Sequence, residues 1–272
     1  MKRVRRESPG TRGARESTSS HFALRVELLA LRSLPEVRTG DDLARLVAEA
    51  AGREYLQVRD GDIIVLAQKI VSKAEGQLVR LSRVKPSPGA REWAHAMHED
   101  PRFVEVVLRE TRRIVRMTER LLLVETRHGW ICANAGVDRS NIKHADWVAC
   151  LPRDPDVSAQ RFVRGIQKRL GVRIAAIISD TFGRPWRLGL TNVAIGAAGI
   201  EVLKDLRGTQ DAYGHRLRAT VVATADELAA AAGLAMGKAA QVPAVIVRGF
   251  PFVRARDRAR QLIRPAAEDL FR

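Results

Sequence analysis

Cysteine is scarce in this chain: only Cys132 and Cys150 occur among 272 residues. Two cysteines do not make a disulfide framework, and neither lies in a Cys-x2-Cys or His-Glu-x2-His zinc pattern. Aromatic residues make up 5% of the chain, without the stacking pattern of nucleic-acid-binding domains. Apolar runs are too short and too often interrupted by charge to cross a bilayer. The N-terminus also lacks the apolar segment of a signal peptide, so we expect a cytoplasmic protein without membrane association.

Three common catalytic and nucleotide-binding patterns are missing as well. No Gly-x-Gly-x-x-Gly follows a strand, which argues against a Rossmann dinucleotide site. No Gly-x4-Gly-Lys-Ser/Thr loop occurs, and no Gly-x-Ser-x-Gly elbow. A P-loop and a serine-hydrolase mechanism are therefore both without support.

Positive charge, by contrast, is abundant, with a formal net charge of +16. Residues 1–21 hold six basic and two acidic side chains, a net of +4, and their composition predicts a disordered tail. The remaining +12 lies on residues 22–272, which we interpret as one domain. A basic body attracts anions, either small polyanionic substrates or nucleic acid. The low aromatic content makes a nucleic-acid-binding protein the weaker alternative.

The order of apolar and polar segments predicts an α+β fold, with mixed and antiparallel sheets and flanking helices. Buried strands are expected at 63–67 and at 174–178. Residues 89–117 are expected to form one or two helices, and Ser158 is expected to cap a helix that runs through Leu170. An Ala-rich helix is expected over residues 219–240.

The strand at 174–178 is followed by the most informative stretch of the chain. We expect the strand to end at Asp180 and Thr181, before a loop that carries Arg184 and Arg187. A carboxylate at a strand end beside cationic groups is typical of a site for metal and phosphate. An Asp that caps a turn, with both arginines in solvent, explains this stretch equally well.

Two further polar clusters follow apolar runs. Ser72–Gly76 contains Lys73, which suits a phosphate contact or, more simply, an exposed surface turn. Residues 134–141 contain Asp138 and Asn141, whose oxygens suit a hard cation or form an Asx turn. If Asp138 and Asp180 converge, with Thr181 beside them, they would form an oxygen-ligand site for Mg²⁺ or Mn²⁺.

Five motifs occur in one order: Val-Ser-Lys-Ala-Glu-Gly at 71–76, Asn-Ala-Gly-Val-Asp-Arg-Ser-Asn at 134–141, Leu-Pro-Arg-Asp-Pro-Asp at 151–156, Ser-Asp-Thr-Phe-Gly-Arg at 179–184, and Val-Arg-Gly at 247–249. In this order they resemble the coenzyme F420-0:L-glutamate ligase family, over residues 22–272. The resemblance implies a homodimer with a family-specific fold. It also implies GTP-dependent addition of L-glutamate to F420-0 through an acyl phosphate, followed by γ-linked extension. A γ-glutamyl ligase that acts on another acceptor, such as a folate, stays open as the alternative.

The resemblance also assigns roles to residues of this chain. Asp138, Asp180 and Lys73 match catalytic positions. Asp138 and Asp180 match ligands of a first Mg²⁺ or Mn²⁺ ion and Thr181 matches a ligand of a second, with K⁺ as a further cation. The GTP site would be lined by Leu34, Pro35, Glu36, Val37, Gln68, Lys69, Lys73, Asn141, Met236, Gly237 and Lys238. Lys238 departs from the family pattern, which has a Glu after Met-Gly. Because an ammonium group cannot coordinate a metal, we expect either a different second metal site or a phosphate contact there.

Overall fold

The computed structural model describes residues 24–119, 121–142, 144–237 and 240–269. Two sequence predictions concern residues outside these ranges, namely the disordered tail at 1–21 and the role of Lys238. Both stay predictions. Within the described ranges, each helix is too short or too polar to pass through a lipid bilayer.

Helices and strands are mixed along the chain. The α-helices are α1 (Leu43–Arg53), α2 (Gln68–Ala74), α3 (Pro88–Met97), α4 (Pro101–Glu110), α5 (Pro155–Leu170) and α6 (Thr224–Met236). The strands are β1 (Glu27–Ala30), β2 (Ile63–Ala67), β3 (Leu78–Arg80), β4 (Thr111–Thr118), β5 (Leu121–Thr126), β6 (Ile131–Ala133), β7 (Trp147–Ala149), β8 (Ala175–Arg184), β9 (Arg187–Ala198), β10 (Lys204–Asp205), β11 (Val221–Val222) and β12 (Ala244–Arg248). The predicted α+β class is confirmed.

The main sheet has five strands in the order β1-β12-β2-β8-β9. β2 and β8 run parallel, whereas the other neighbours in this sheet are antiparallel. The parallel register pairs Ala67, the last residue of β2, with Ser179 of β8. Helix α2, which follows Ala67 directly, therefore begins beside Asp180. This register sets the position of the functional site.

The large apolar core surrounds this sheet. Ile63, Ile64, Ile177 and Ile178 are fully buried, as expected for central strands covered on both faces. α5 packs against β8 and β9, and α6 packs against β9, β12 and β1. α1 and α5 are in close contact. A Cβ atom added to Gly165 of α5 would lie only 2.6 Å from the Cβ of Ala44 in α1.

A second, smaller apolar core lies under the three-stranded sheet β4-β5-β6 and helix α4. Its buried side chains include Phe103 and Val107 of α4 and Leu122 and Val124 of β5. The short pair β3–β7 adjoins this core through Val148. The segment with Asp138 follows β6, so this residue is carried by the second core rather than by the main sheet.

The β8–β9 hairpin corrects the prediction that the strand ends at Asp180. β8 continues through Asp180 and Thr181 to Arg184, and Arg184 pairs with Arg187 across the turn. The strand persists beyond the core because β9 supplies hydrogen-bond partners along its length. Asp180 and Thr181 are therefore held by a ladder inside the strand, where the end of the strand was expected.

Three predicted helices also differ from the structure. The helical region expected to reach residue 117 ends with α4 at Glu110. Residues 111–118 form strand β4 instead, because they pair with β5. α5 begins before Ser158: Asp154 caps it by accepting from the Val157 amide at 3.1 Å, and Pro155 follows the cap. The Ala-rich helix is shorter than 219–240, because 221–222 pair with β10.

Asp156 holds three segments together in the main core. Its buried Oδ1 accepts from the backbone amides of Ala197 at 2.9 Å and Ala259 at 2.7 Å. Asp156 lies on α5, Ala197 on β9, and Ala259 near the C-terminus. The carboxylate thus joins the helix, the edge strand and the C-terminal segment.

Asp156→Ala should destabilise the protein strongly, because it leaves two buried amides without an acceptor. Each unsatisfied amide costs about 1–3 kcal/mol. Urea denaturation measures the loss of unfolding free energy. Glu49→Ala, which removes an exposed partner of Arg45 on α1, is the control and should change stability by less than about 0.5 kcal/mol. A loss below about 1 kcal/mol for Asp156→Ala would contradict this account.

Candidate functional site

The site begins where β2 passes directly into α2. Gln68 and Lys69 follow Ala67, and the β2–β8 register places this junction next to Ser179 and Asp180. Gln68 is buried, and its Oε1 accepts from the hydroxyl of Ser72 at 2.8 Å. Its Nε2 is buried without a hydrogen-bond partner among the described residues. A buried amide donor left unpaired is costly, so Nε2 of Gln68 needs a partner that the described residues do not supply.

Lys69 joins this junction to the segment after β6. Its Nζ lies 2.7 Å from Oδ2 of Asp138 and also hydrogen-bonds the hydroxyl of Ser140. Ser140 donates its backbone amide to Oδ1 of Asp138 at 2.6 Å and its hydroxyl to Oδ2 at 3.0 Å. Both carboxylate oxygens of Asp138 are therefore oriented by the chain itself.

These contacts determine the charge state of Asp138. Burial alone would raise the pKa of its carboxyl group. The hydrogen bonds and charge of Lys69, together with the Ser140 amide and hydroxyl, outweigh burial and lower the pKa below its ordinary value. Asp138 is consequently an anion at neutral pH and attracts cations.

Lys73 forms a second ionic contact one turn further along α2. Its ammonium lies 2.6 Å from Oε1 of Glu36 and 3.1 Å from the backbone oxygen of Asn141. Lys73 is buried, whereas Glu36 is largely exposed. The segment 34–37, helix α2 and the loop at 141 thus meet at one ammonium group. Asn141 contributes here through its backbone, which has a positive φ of 57°.

Thr181 lies in a hydrogen-bonded group on the hairpin. Its hydroxyl donates to Oδ1 of Asn192 at 3.0 Å, and Nδ2 of Asn192 donates to the hydroxyl of Ser179 at 3.2 Å. The sulfur of Met236, at the end of α6, lies 3.8 Å from the same Nδ2. Asn192 was not among the predicted site residues. Its position opposite Thr181 in the hairpin register is the signal that would have identified it.

Asp180 is half-buried and precedes Thr181 on β8. It pairs with Val193 in the hairpin, and β6 packs against β8 at this level. Burial, with a smaller contribution from the charge of Asp180, raises the pKa of the Cys132 thiol to about 12. Cys132 is therefore a neutral, buried side chain.

The donor atoms suit a hard divalent cation better than zinc. Asp138 and Asp180 supply carboxylates and Thr181 a hydroxyl, the oxygen ligands that Mg²⁺ and Mn²⁺ prefer. In the part of the chain that the structure describes, no group of three or more His, Cys, Asp or Glu side chains is placed to hold a metal. The ammonium of Lys69 already occupies one side of Asp138, so a cation there would share or replace that contact.

The remaining predicted residues have simpler environments. Leu34 and Val37 pack against the main core, so they fix the segment that carries Pro35 and Glu36. Gly237 ends α6 with a positive φ of 57°. Arg184 and Arg187 are exposed at the tip of the hairpin, and Arg184 donates to the Leu188 carbonyl. The structure brings neither arginine into contact with Asp138 or Lys73.

Comparison with known proteins identifies the family. The model of the F420-0:gamma-glutamyl ligase family matches residues 32–249. The chain belongs to this family. It is an enzyme of the amino-acid ligase class, and the resemblance inferred from the five motifs is confirmed.

Curated relatives extend the similarity over most of the ligase chain. A coenzyme F420:L-glutamate ligase from Methanothermobacter thermautotrophicus is 46% identical over 251 residues, covering 91% of this chain and 99% of its own. The ligase of the same name from Methanopyrus kandleri is 46% identical over 254 residues, covering 92% of this chain and 98% of its own. The ligase of the same name from Methanocaldococcus jannaschii is 41% identical over 251 residues, covering 91% of this chain and 97% of its own. The family match includes every residue of the site described above.

Lys69→Met should raise the pKa of Asp138 in this ligase, because it removes one charge and one hydrogen bond from the carboxylate. Titration of ¹³C-labelled aspartate carboxyls by NMR measures the shift, and exposed Lys85→Met is the control.

The sign of the effect on stability follows from the direction of the pKa shift. A depressed folded-state pKa contributes stability that is present above the ordinary Asp value and lost as pH falls through the lowered one. Removal of Lys69 should move this loss to higher pH. An Asp138 titration identical in Lys69→Met and wild type would show that the ion pair is not formed in solution.

Proposed function

We propose that this ligase adds L-glutamate to coenzyme F420-0 with GTP as co-substrate and Mg²⁺ or Mn²⁺ as cofactor, and extends the product by γ-linkage. The names of the curated relatives support the acceptor and the amino acid. The observation that carries the proposal is the convergence of two lysines and the Asp138 carboxylate at the β2–α2 junction. Triphosphate and carboxylate substrates need cationic groups next to metal-ligating oxygens.

The proposed reaction has two steps. A carboxylate oxygen of F420-0 attacks the γ-phosphorus of GTP, the bond to the β-phosphate oxygen breaks, and GDP leaves. The amine of glutamate then attacks the resulting acyl phosphate, phosphate leaves with the bonding electrons, and the amine loses a proton. Neither step needs a protein nucleophile, which agrees with the absence of such a motif in the sequence.

The chain's own residues orient and neutralise these anions. Lys73 is held by Glu36 and the Asn141 carbonyl, so its charge has a fixed position before phosphate arrives. Lys69 is similarly oriented by Asp138 and Ser140. A first divalent cation held by Asp138 and Asp180, and a second held by Thr181, would neutralise charge on the transferred phosphoryl group.

The reaction is tested by product analysis. Release of GDP and phosphate should require F420-0, L-glutamate and Mg²⁺ or Mn²⁺ together, and mass spectrometry should show F420 with added glutamate. Replacing KCl by NaCl in the same assay tests whether the ligase uses K⁺ as the further cation that the family resemblance implies. Turnover with a folate acceptor but not with F420-0 would favour the alternative γ-glutamyl ligase.

Asp180→Ala should lower kcat by about 100-fold or more, as for the loss of an electrostatic group at a reacting centre. Circular dichroism should show an intact fold. Asp205→Ala, which removes an exposed partner of Arg207 on β10, is the matched control and should keep wild-type kcat. Wild-type activity in Asp180→Ala would exclude the proposed ligation by Asp180.

We also propose that the ligase is a homodimer whose contact includes the tip of the β8–β9 hairpin. Trp186, Leu188 and Leu190 are exposed there by 85%, 97% and 66%. Clustered exposed apolar side chains mark interaction surfaces, and two-fold dimers are the commonest assemblies of soluble chains.

Analytical ultracentrifugation tests the dimer. The wild type should sediment at twice the 30.1 kDa chain mass, and Leu188→Glu should shift it towards monomer. Tyr55→Glu changes a 95% exposed side chain away from the hairpin and should remain dimeric. A monomeric wild type would contradict the assembly, and a dimeric Leu188→Glu variant would place the contact elsewhere.

A further inference from the structure

A depression on the second core has no part in the reaction described above. Its volume is about 700 Å³, within the range of about 300–1,000 Å³ that is typical of sites for small organic ligands. It is lined by Leu81, Asp100, Arg102, Arg139, Ala145 and Asp146. Arg139 directly follows Asp138, so the segment that carries the partner of Lys69 also forms a wall of the depression.

Arg139 is held in a fixed orientation at this wall. The central carbon of its guanidinium group lies 4.1 Å from the centre of the Phe103 ring, within the range of a cation–π contact. Its Nη1 donates to Oε1 of Glu99 at 2.9 Å. Phe103 belongs to the second core and covers one face of the guanidinium plane. The side chain of Arg139 is nevertheless 39% exposed and lines the depression, so the opposite face is directed into that space.

The charged side chains around the depression balance one another. Arg102 donates to both carboxylate oxygens of Asp100, and these hydrogen bonds lower the pKa of Asp100 below its ordinary value. Hydrogen bonds from Ser82 similarly lower the pKa of Asp146. Two carboxylates and two guanidinium groups therefore face one space. Such a wall suits a part of a ligand that has no net charge but has hydrogen-bond donors and acceptors at its edge.

F420-0 carries a planar deazaflavin ring at one end and the reacting carboxylate at the other. We propose that the depression binds this ring, which stacks on the open face of the Arg139 guanidinium group. Planar guanidinium groups stack on aromatic faces, whereas a lysine ammonium has no plane to offer. The inference rests on the proposed function for the identity of the acceptor.

The position of Arg139 in the chain supports the acceptor as the ligand. The Cα atoms of Asp138 and Arg139 are about 3.8 Å apart, so an elongated acceptor that lies across this segment has its ring on one side and its carboxylate on the other. Guanine is also planar, but the residues predicted to line the GTP site lie at 34–37, 68–73, 141 and 236–238. None of these residues lines the depression.

The test is the affinity for F420-0, measured from the fluorescence anisotropy of its ring as the protein is added. Arg139→Lys keeps the charge but removes the plane, so it should weaken binding by about 5–150-fold, the range for loss of one stacking contact. Arg45→Lys alters an arginine that is 44% exposed and pairs with Glu49, and this control should bind F420-0 as the wild type does. Both variants should bind GDP with wild-type affinity in a calorimetric titration.

A second variant tests the depression without altering Arg139. Ala145→Trp fills the space from an exposed position, so it should weaken F420-0 binding in a folded protein, with folding checked by thermal melting. If Arg139→Lys fails to fold, Ala145→Trp decides the question. Wild-type affinity for F420-0 in a folded Arg139→Lys or Ala145→Trp protein would overturn the proposal.

Steady-state kinetics distinguish the ring from the other ligands. Arg139→Lys should raise the KM for F420-0 and leave the KM values for GTP and L-glutamate unchanged. A rise confined to the KM for GTP or for L-glutamate would assign the depression to that ligand and overturn the proposal. If the wild type does not bind F420-0, the acceptor in the proposed function is wrong and the ring site falls with it. If the wild type and Arg139→Lys bind F420-0 equally, the acceptor stands and the ring site alone is wrong.

Discussion

The parallel pairing of β2 with β8 is the constraint on which the rest of the structure depends. Among the strand pairs of the described ranges, it is the one parallel pair, and its isoleucines form the centre of the apolar core. Parallel strands end at the same edge of a sheet, so α2 starts beside the polar part of β8. Helix α2 and strand β8 are in contact for this reason. Without that register, the motifs at 71–76 and 179–184 would have no spatial relation.

The sequence predicted the parts of the fold that local chemistry determines. Ile63–Ala67 is a short apolar run and forms β2 as expected. The strand at 111–118 was mistaken for helix because its pairing with β5 depends on distant residues. Asn192 was missed for the same reason, since its partner Thr181 is eleven positions away and is reached only through the hairpin. Motif order identified the family, but the contacts within the site required the structure.

The site is assembled from polar contacts between elements that share little apolar surface. Lys69 lies on α2, a helix that packs against the main core. Asp138 follows β6, a strand of the second core. Lys73 likewise joins the segment at Glu36 to the backbone at Asn141. Ion pairs at partly exposed positions contribute little to stability, and their energy depends strongly on distance. Their value here is therefore geometric, because they set where charge lies before a ligand arrives.

The position of the site between two separate apolar cores has a mechanical consequence. Each core is close-packed and resists deformation, while the boundary between them is crossed by ionic contacts such as that between Lys69 and Asp138. Sliding of one core against the other by a fraction of an ångström would alter those contacts first and leave both interiors unchanged.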